Sequence, residues 1–102
     1  WYGVTLRTQT GEAVAMGRVI GDGALVLQIV DIAVLPSWQG RGLGLRIMAA
    51  LMERIVAEAP GAYVSLIADG PARHLYARFG FAPVAPASEG MALTVPDCGP
   101  GA

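Results

Sequence analysis

The sequence predicts an α/β domain whose sheet is mixed but mostly antiparallel, with one strand–helix–strand parallel pair and a second helix. Three observations carry this. Residues 3–35 divide at Gly11 and at Gly21-Asp22-Gly23 into three β-patterned segments. The apolar run of residues 25–35 stops at Pro36, and apolar residues then recur at helical spacing: Gly44, Ile47, Met48, Leu51, Met52, Ile55 and Val56. Beyond Pro60-Gly61, the segment AYVSLIA (62–68) is apolar and β-rich enough for a buried strand. Strand, helix and strand in succession imply a parallel pair joined by a right-handed crossover.

The elements follow in order. Residues 3–10 alternate Val4 and Leu6 with polar residues and read as a strand. Thr10-Gly11-Glu12 is a hairpin turn, and residues 13–20 form the partner strand, with Gly17 as a bulge or close-approach point. Residues 24–35 form a third strand, too apolar for an exposed edge, and the three make an antiparallel meander. The main helix spans 42–59, buries Ile47, Leu51 and Ile55, and turns Arg46, Glu53 and Glu58 to solvent. Pro60-Gly61 ends it. A second helix runs from Pro71 or Ala72 to about Phe79 and stops at Gly80, with Phe79 and Phe81 in the core. Residues 81–85 and 90–95 read as two last strands, giving one domain over 1–95 and a frayed tail from Pro96.

Composition excludes several classes. The chain has 102 residues, 54% of them apolar and 15% charged, so it holds one modest core and is not a disordered segment. Seven basic and eight acidic residues argue against a broad nucleic-acid surface. No apolar segment reaches membrane-spanning length and no leader or lipidation motif is evident, so the default expectation is cytoplasmic, without a membrane. The single cysteine, Cys98, has no intrachain partner and no Cys/His cluster suggests zinc. The opening Trp1-Tyr2 and the low charge suggest a chain whose beginning is absent, with apolar surface for a missing segment or a second copy in a homodimer to cover.

The stretch D-I-A-V-L-P-S-W-Q-G-R-G-L-G (31–44) organises the rest. Gly40, Gly42 and Gly44 fall at every second position between the third strand and the main helix. Glycine permits torsions and close approaches that a Cβ forbids, and free N–H groups at the start of a helix can point at an anion. The stretch therefore reads either as a phosphate-binding loop or as a merely tight strand-to-helix turn. Its G-x-G-x-G spacing fits neither the dinucleotide fingerprint nor the Gly-Lys-Ser/Thr nucleotide loop.

Gln39-Gly40-Arg41-Gly42-Leu43-Gly44 resembles the Q/R-x-x-G-x-G/A signature of the GNAT superfamily of acyl-CoA-dependent N-acyltransferases, preceded as in that family by a strand ending in an apolar-x-Val segment and Pro36. Residues 72–81, Ala-Arg-His-Leu-Tyr-Ala-Arg-Phe-Gly-Phe, resemble the family's A-x-x-L-Y-x-x-x-G-F segment. Together they make the likeness specific over about residues 3–95. It implies a GNAT-like fold lacking the family's first strand and following pair of helices, which help shape the acceptor side.

The resemblance also implies the chemistry: transfer of an acetyl group from acetyl-CoA to a primary amine of a small molecule or peptide, by direct attack. Main-chain groups of Ile32, Ala33 and Val34 would pair with the pantetheine arm, where family members splay the sheet. Those of Gln39, Gly40, Arg41, Gly42, Leu43, Gly44 and Leu45 would hold the pyrophosphate, and the Ile32 N–H would polarise the thioester carbonyl. Arg41 would add charge near phosphate. Tyr76 matches the tyrosine that protonates the leaving thiolate; read from the residues alone, it packs on the second helix's apolar face. Asp31 is the candidate base or substrate-orienting group, although strand alternation sets it opposite Ile32 unless a bulge intervenes. Gln28 stands where histone-acetylating relatives carry a glutamate base, and glutamine cannot act as one. Asp69 stands where the family often has asparagine, as a helix cap or a contact to the CoA arm. His74 reads as a surface residue of the second helix. The alternatives are a non-catalytic acyl-CoA-binding module and a purely structural domain.

Overall fold

The computed structural model describes residues 1–96. Strands β1 (Tyr2–Arg7), β2 (Ala13–Gly21) and β3 (Val26–Val34) precede helix α1 (Leu43–Glu58), a short strand β4 (Tyr63–Ser65) and a short helix α2 (Ala72–Ala77). The sheet has the order β1-β2-β3-β4. Its first two pairings are antiparallel and β3–β4 is parallel. The meander, the crossover and the mixed sheet are those expected from the pattern.

Helix α1 covers one face of the meander. Leu43, Ile47, Met48, Leu51 and Ile55 form its buried stripe. They meet Val14, Ala15, Val19, Leu27 and Ile29 in one cluster, with Tyr2, Val4 and Leu6 of β1 packed against it. Leu27, Ile47, Met48 and Leu51 are fully buried, and each contributes about 1.5–3 kcal/mol by leaving water.

Gly17 is a close-approach point; the bulge expected there lies opposite it, in β3. A Cβ there would stand 2.5 Å from Ile32 Cδ1 and from Ile47 Cγ2, so only glycine lets α1 and β3 close on β2. The register also shifts beside it: Arg18 pairs with Val30, but Met16 pairs with Ala33. β3 therefore carries an extra residue at this point, a bulge. At the bulge Asp31 has φ 57°, the left-handed conformation that aspartate tolerates better than most residues.

Boundaries move for local reasons. Residues 24 and 25 belong to a turn rather than to β3, because Asp22 Oδ1 accepts the amides of Ala24, Leu25 and Val26 at 2.8, 2.8 and 3.2 Å. The expected strand at 62–68 contracts to β4, and α2 ends at Ala77. The strands expected at 81–85 and 90–95 are not formed. Pro83 and Pro86 cannot donate to a ladder. Met91, Leu93 and Val95 keep their alternation but are 79–93% exposed and pair with no strand. Cys98 and most of the expected tail lie outside the described residues.

Candidate active site

The site begins where two strands part. β3 and β4 pair only from Val26–Tyr63 to Gln28–Ser65. β3 then runs on to Val34 while the other chain turns away toward α2. A cleft of about 360 Å³ opens between them, lined by Gln28, Asp31, Ile32, Asp69, Ala72 and Tyr76 among others. Residues far apart in sequence thus meet: the bulge of β3 on one wall, the start of α2 and the loop before it on the other. The bulge answers the objection from alternation, since both Asp31 and Ile32 line the cleft.

Tyr76 is buried on α2. Burial, and secondarily the negative charge of Asp69, push its phenol above the ordinary value of 10.0. The group therefore holds its proton at neutral pH and can donate it. Asp69 reaches the cleft, but its side chain does not cap α2. Its carbonyl accepts the Ala72 amide at 3.2 Å instead, which leaves the carboxylate uncommitted to the helix. The expected side-chain cap is thereby corrected. Asp31 is exposed and paired: Arg18 Nε donates to its Oδ2 at 2.6 Å. Gln28 lines the cleft floor, and His74 is exposed on α2.

The Gly-rich turn lies beyond the cleft, at the end of β3. Gly40 and Gly42 have φ 81° and 75°, and a Cβ on either would meet nothing within 4 Å, so the turn faces open space. Gly42 is the N-cap of α1 without a side-chain cap. The first amide of this helix to find a backbone acceptor outside the helix's own ladder is that of Arg46, bonded to Gly42 at 3.1 Å. Among the described residues the amides of Gly40 to Leu45 have no such acceptor, which is the condition for an anion to take them. Gly44 acts differently. A Cβ there would press on Leu75 Cδ2 at 3.2 Å, so this glycine admits α2 against α1. Gln39 is exposed, its Nε2 donating to the Val34 carbonyl at 3.2 Å. Leu43 is buried, Leu45 is half-buried, and Ala33 and Val34 carry β3 from cleft to turn.

Two residues were not anticipated. Arg18 is paired across the bulge with Asp31, and only the register of β2 against β3 brings them together. Trp38 lies under the Arg41 guanidinium, 4.5 Å from the ring centroid. That pair was visible as an aromatic and a cation three residues apart, but a turn has no fixed period from which to read it.

A β3–β4 pair that parts around a cleft, a tyrosine on one wall and a Gly-rich turn opening a helix together define the class of α/β fold. The family model described as the GNAT acetyltransferase domain matches residues 3–83, and the chain belongs to that family. It is 38% identical over 96 residues to serotonin N-acetyltransferase 2, chloroplastic, of Oryza sativa subsp. japonica, a match covering 91% of the chain. The chain spans 46% of the length of that curated relative. Its fold matches a protein of unknown function from meticillin-resistant Staphylococcus aureus, described as a probable acetyltransferase, with TM-score 0.84 and 50% identity over 91% of this chain and 70% of that one. A Trypanosoma brucei acetyltransferase gives TM-score 0.73 and 25% identity, over 91% and 68%.

Proposed function

We propose that this chain forms the acetyl-CoA-binding and catalytic part of an N-acetyltransferase acting on a primary amine of a small molecule or peptide. The observation that carries the reading is the continuity of β3. It leads from a cleft lined by the buried Tyr76 to a turn that borders open space and whose amides have no backbone acceptor among the described residues. Thioester and diphosphate have to be held at two such points of one extended carrier. Acetyl-CoA fits this arrangement: Gly40 to Leu45 would take the diphosphate, with Arg41 beside it, and the edge of β3 at Ile32, Ala33 and Val34 would take the amide-rich arm.

In the reaction the amine nitrogen attacks the thioester carbonyl carbon and the carbon–sulfur bond breaks. The Ile32 N–H would stabilise the developing oxyanion. Tyr76 would give its proton to the departing thiolate. Asp31, held by Arg18 at the cleft wall, would orient the incoming ammonium, and the amine's proton would leave through it or through water. Relatedness to an enzyme acetylating serotonin supports an amine acceptor without fixing which one. The exposed apolar residues Met16, Ile20 and Val26 support a covering segment or a second copy on the uncovered side.

The test is calorimetry of acetyl-CoA against the full-length protein, followed by a panel of amines with release of the CoA thiol as readout. Binding together with amine-dependent thiol release is expected. Binding with no turnover across the panel would favour a carrier-binding module, and no binding would end the reading.

A further inference from the structure

Trp38 has no part in the chemistry above, although its partner Arg41 does. Trp38 is half-buried at the end of a short 3₁₀ turn, Pro36–Trp38, and packs against the core cluster. Its ring carries the Arg41 guanidinium at 4.5 Å. Gly40, in a left-handed torsion between them, folds the chain so that Arg41 returns over the ring three residues behind it. The Gln39 side chain, bonded to the Val34 carbonyl, ties the same turn back to the end of β3. Arg41 makes no ion pair among the described residues, unlike Arg18 and Arg54, which each hold a carboxylate.

A guanidinium resting on an aromatic ring has one face covered while its N–H edge stays available. That edge is the part that recognises phosphate oxygens in a bidentate manner. A long side chain already held by a rigid platform also loses less conformational freedom when it engages a ligand. The turn that carries this stacked cation is the one whose amides, Gly40 to Leu45, have no backbone acceptor among the described residues.

We propose that Trp38 is a positioning residue. It holds the Arg41 guanidinium at the mouth of the Gly-rich turn so that its N–H edge meets the anionic, phosphate-bearing end of the acyl carrier. The inference rests on the acyl-carrier reading and adds a residue that tunes affinity for phosphate alone, leaving the pantetheine arm and the thioester untouched.

The test compares acetyl-CoA with acetylpantetheine, which has the thioester and arm but no phosphate. Binding is measured for the wild type, Trp38→Leu, Trp38→Phe, Arg41→Ala and the Trp38→Leu/Arg41→Ala double variant. Trp38→Leu should weaken acetyl-CoA binding about three- to fivefold, the scale of an exposed cation–π contact, and leave acetylpantetheine unchanged. Trp38→Phe should restore most of the loss, and the double variant should bind no more weakly than Arg41→Ala. Equal losses for both ligands, no loss for acetyl-CoA, or additive losses in the double variant would each overturn the proposal. If Trp38→Leu does not fold, a Trp1→Phe background leaves Trp38 as the sole tryptophan, since the sequence has 2. Its emission should change as CoA is added, and Arg41→Ala should abolish that change; an unchanged emission, or one indifferent to Arg41→Ala, overturns it. A wild type that binds no acetyl-CoA rejects the acyl-carrier reading itself, whereas one that binds it without this pattern rejects only the role of Trp38.

Discussion

In the proposed reaction Tyr76 is the proton donor. Burial first, and the Asp69 charge second, raise its pKa above 10.0, so the neutral phenol is the resting form throughout the physiological range. Tyr76→Phe removes the proton donor and keeps the ring. Turnover should therefore fall by about 10²-fold or more, with acetyl-CoA affinity little changed, and steady-state kinetics with direct binding separate the two effects. The sign of the pH dependence follows from the raised value. Activity that depends on the phenol is present below pH 10.0 and is lost only as pH rises through the higher folded value. A basic limb assignable to Tyr76 should therefore lie above that ordinary value and be absent in Tyr76→Phe. Gly17 is a second residue with a single cause. Gly17→Ala would place a methyl 2.5 Å from Ile32 Cδ1 and Ile47 Cγ2, and thermal or urea unfolding should show a loss of about 1–3 kcal/mol.

Among elements, the β2–β3 hairpin sets the position of the cleft wall. Its turn is closed by one carboxylate that accepts three amides. Those backbone hydrogen bonds hold the Asp22 carboxyl below its ordinary 3.8. A depressed carboxylate pKa contributes stability that is present above the unfolded value and lost as pH falls through the folded one. Asp22→Ala should therefore be less stable than the wild type near neutral pH. The gap should narrow as pH drops below about 3.8, as read from unfolding midpoints across a pH series. The elements also show what the sequence could carry. Helix α1 was legible because Ile47, Leu51 and Ile55 repeat at the helical period, and Pro60-Gly61 stops it. The bulge was legible only as a conditional, because an extra residue leaves no mark in alternation; what betrays it is the register against β2 and the left-handed Asp31. Alternation alone suggested strands at 81–85 and 90–95, but a strand needs a neighbour to accept its hydrogen bonds, and no local pattern states whether one is there.

For the whole molecule, the proposed function depends on joining two places that the sequence marks separately. The Gly-rich turn and Tyr76 were both readable by motif, Asp69 and Gln28 by position. What was not readable is how they come together: the parting of β3 and β4 after Gln28–Ser65, which creates the cleft, and the pairs Arg18–Asp31 and Trp38–Arg41, which depend on cross-strand register and on turn torsions. Gly44, third of the alternating glycines, is in addition the point where Leu75 of α2 meets α1. One alternating run of glycines thus builds two things, an open turn at Gly40 and Gly42 and close helix packing at Gly44.

The proposed function rests on one physical arrangement: main-chain amides after β3 would grip the diphosphate of an acylated carrier whose thioester end would reach Tyr76. Amide chemical shifts of the isotope-labelled full-length protein, followed as CoA is added, report on that grip residue by residue. Saturable shifts are expected at Gly40, Arg41, Gly42, Leu43 and Gly44 and at Ile32, with those of the distant hairpin turn at Thr10 and Gly11 unmoved. A titration in which residues 40–44 stay still, while CoA binds elsewhere or not at all, would contradict it.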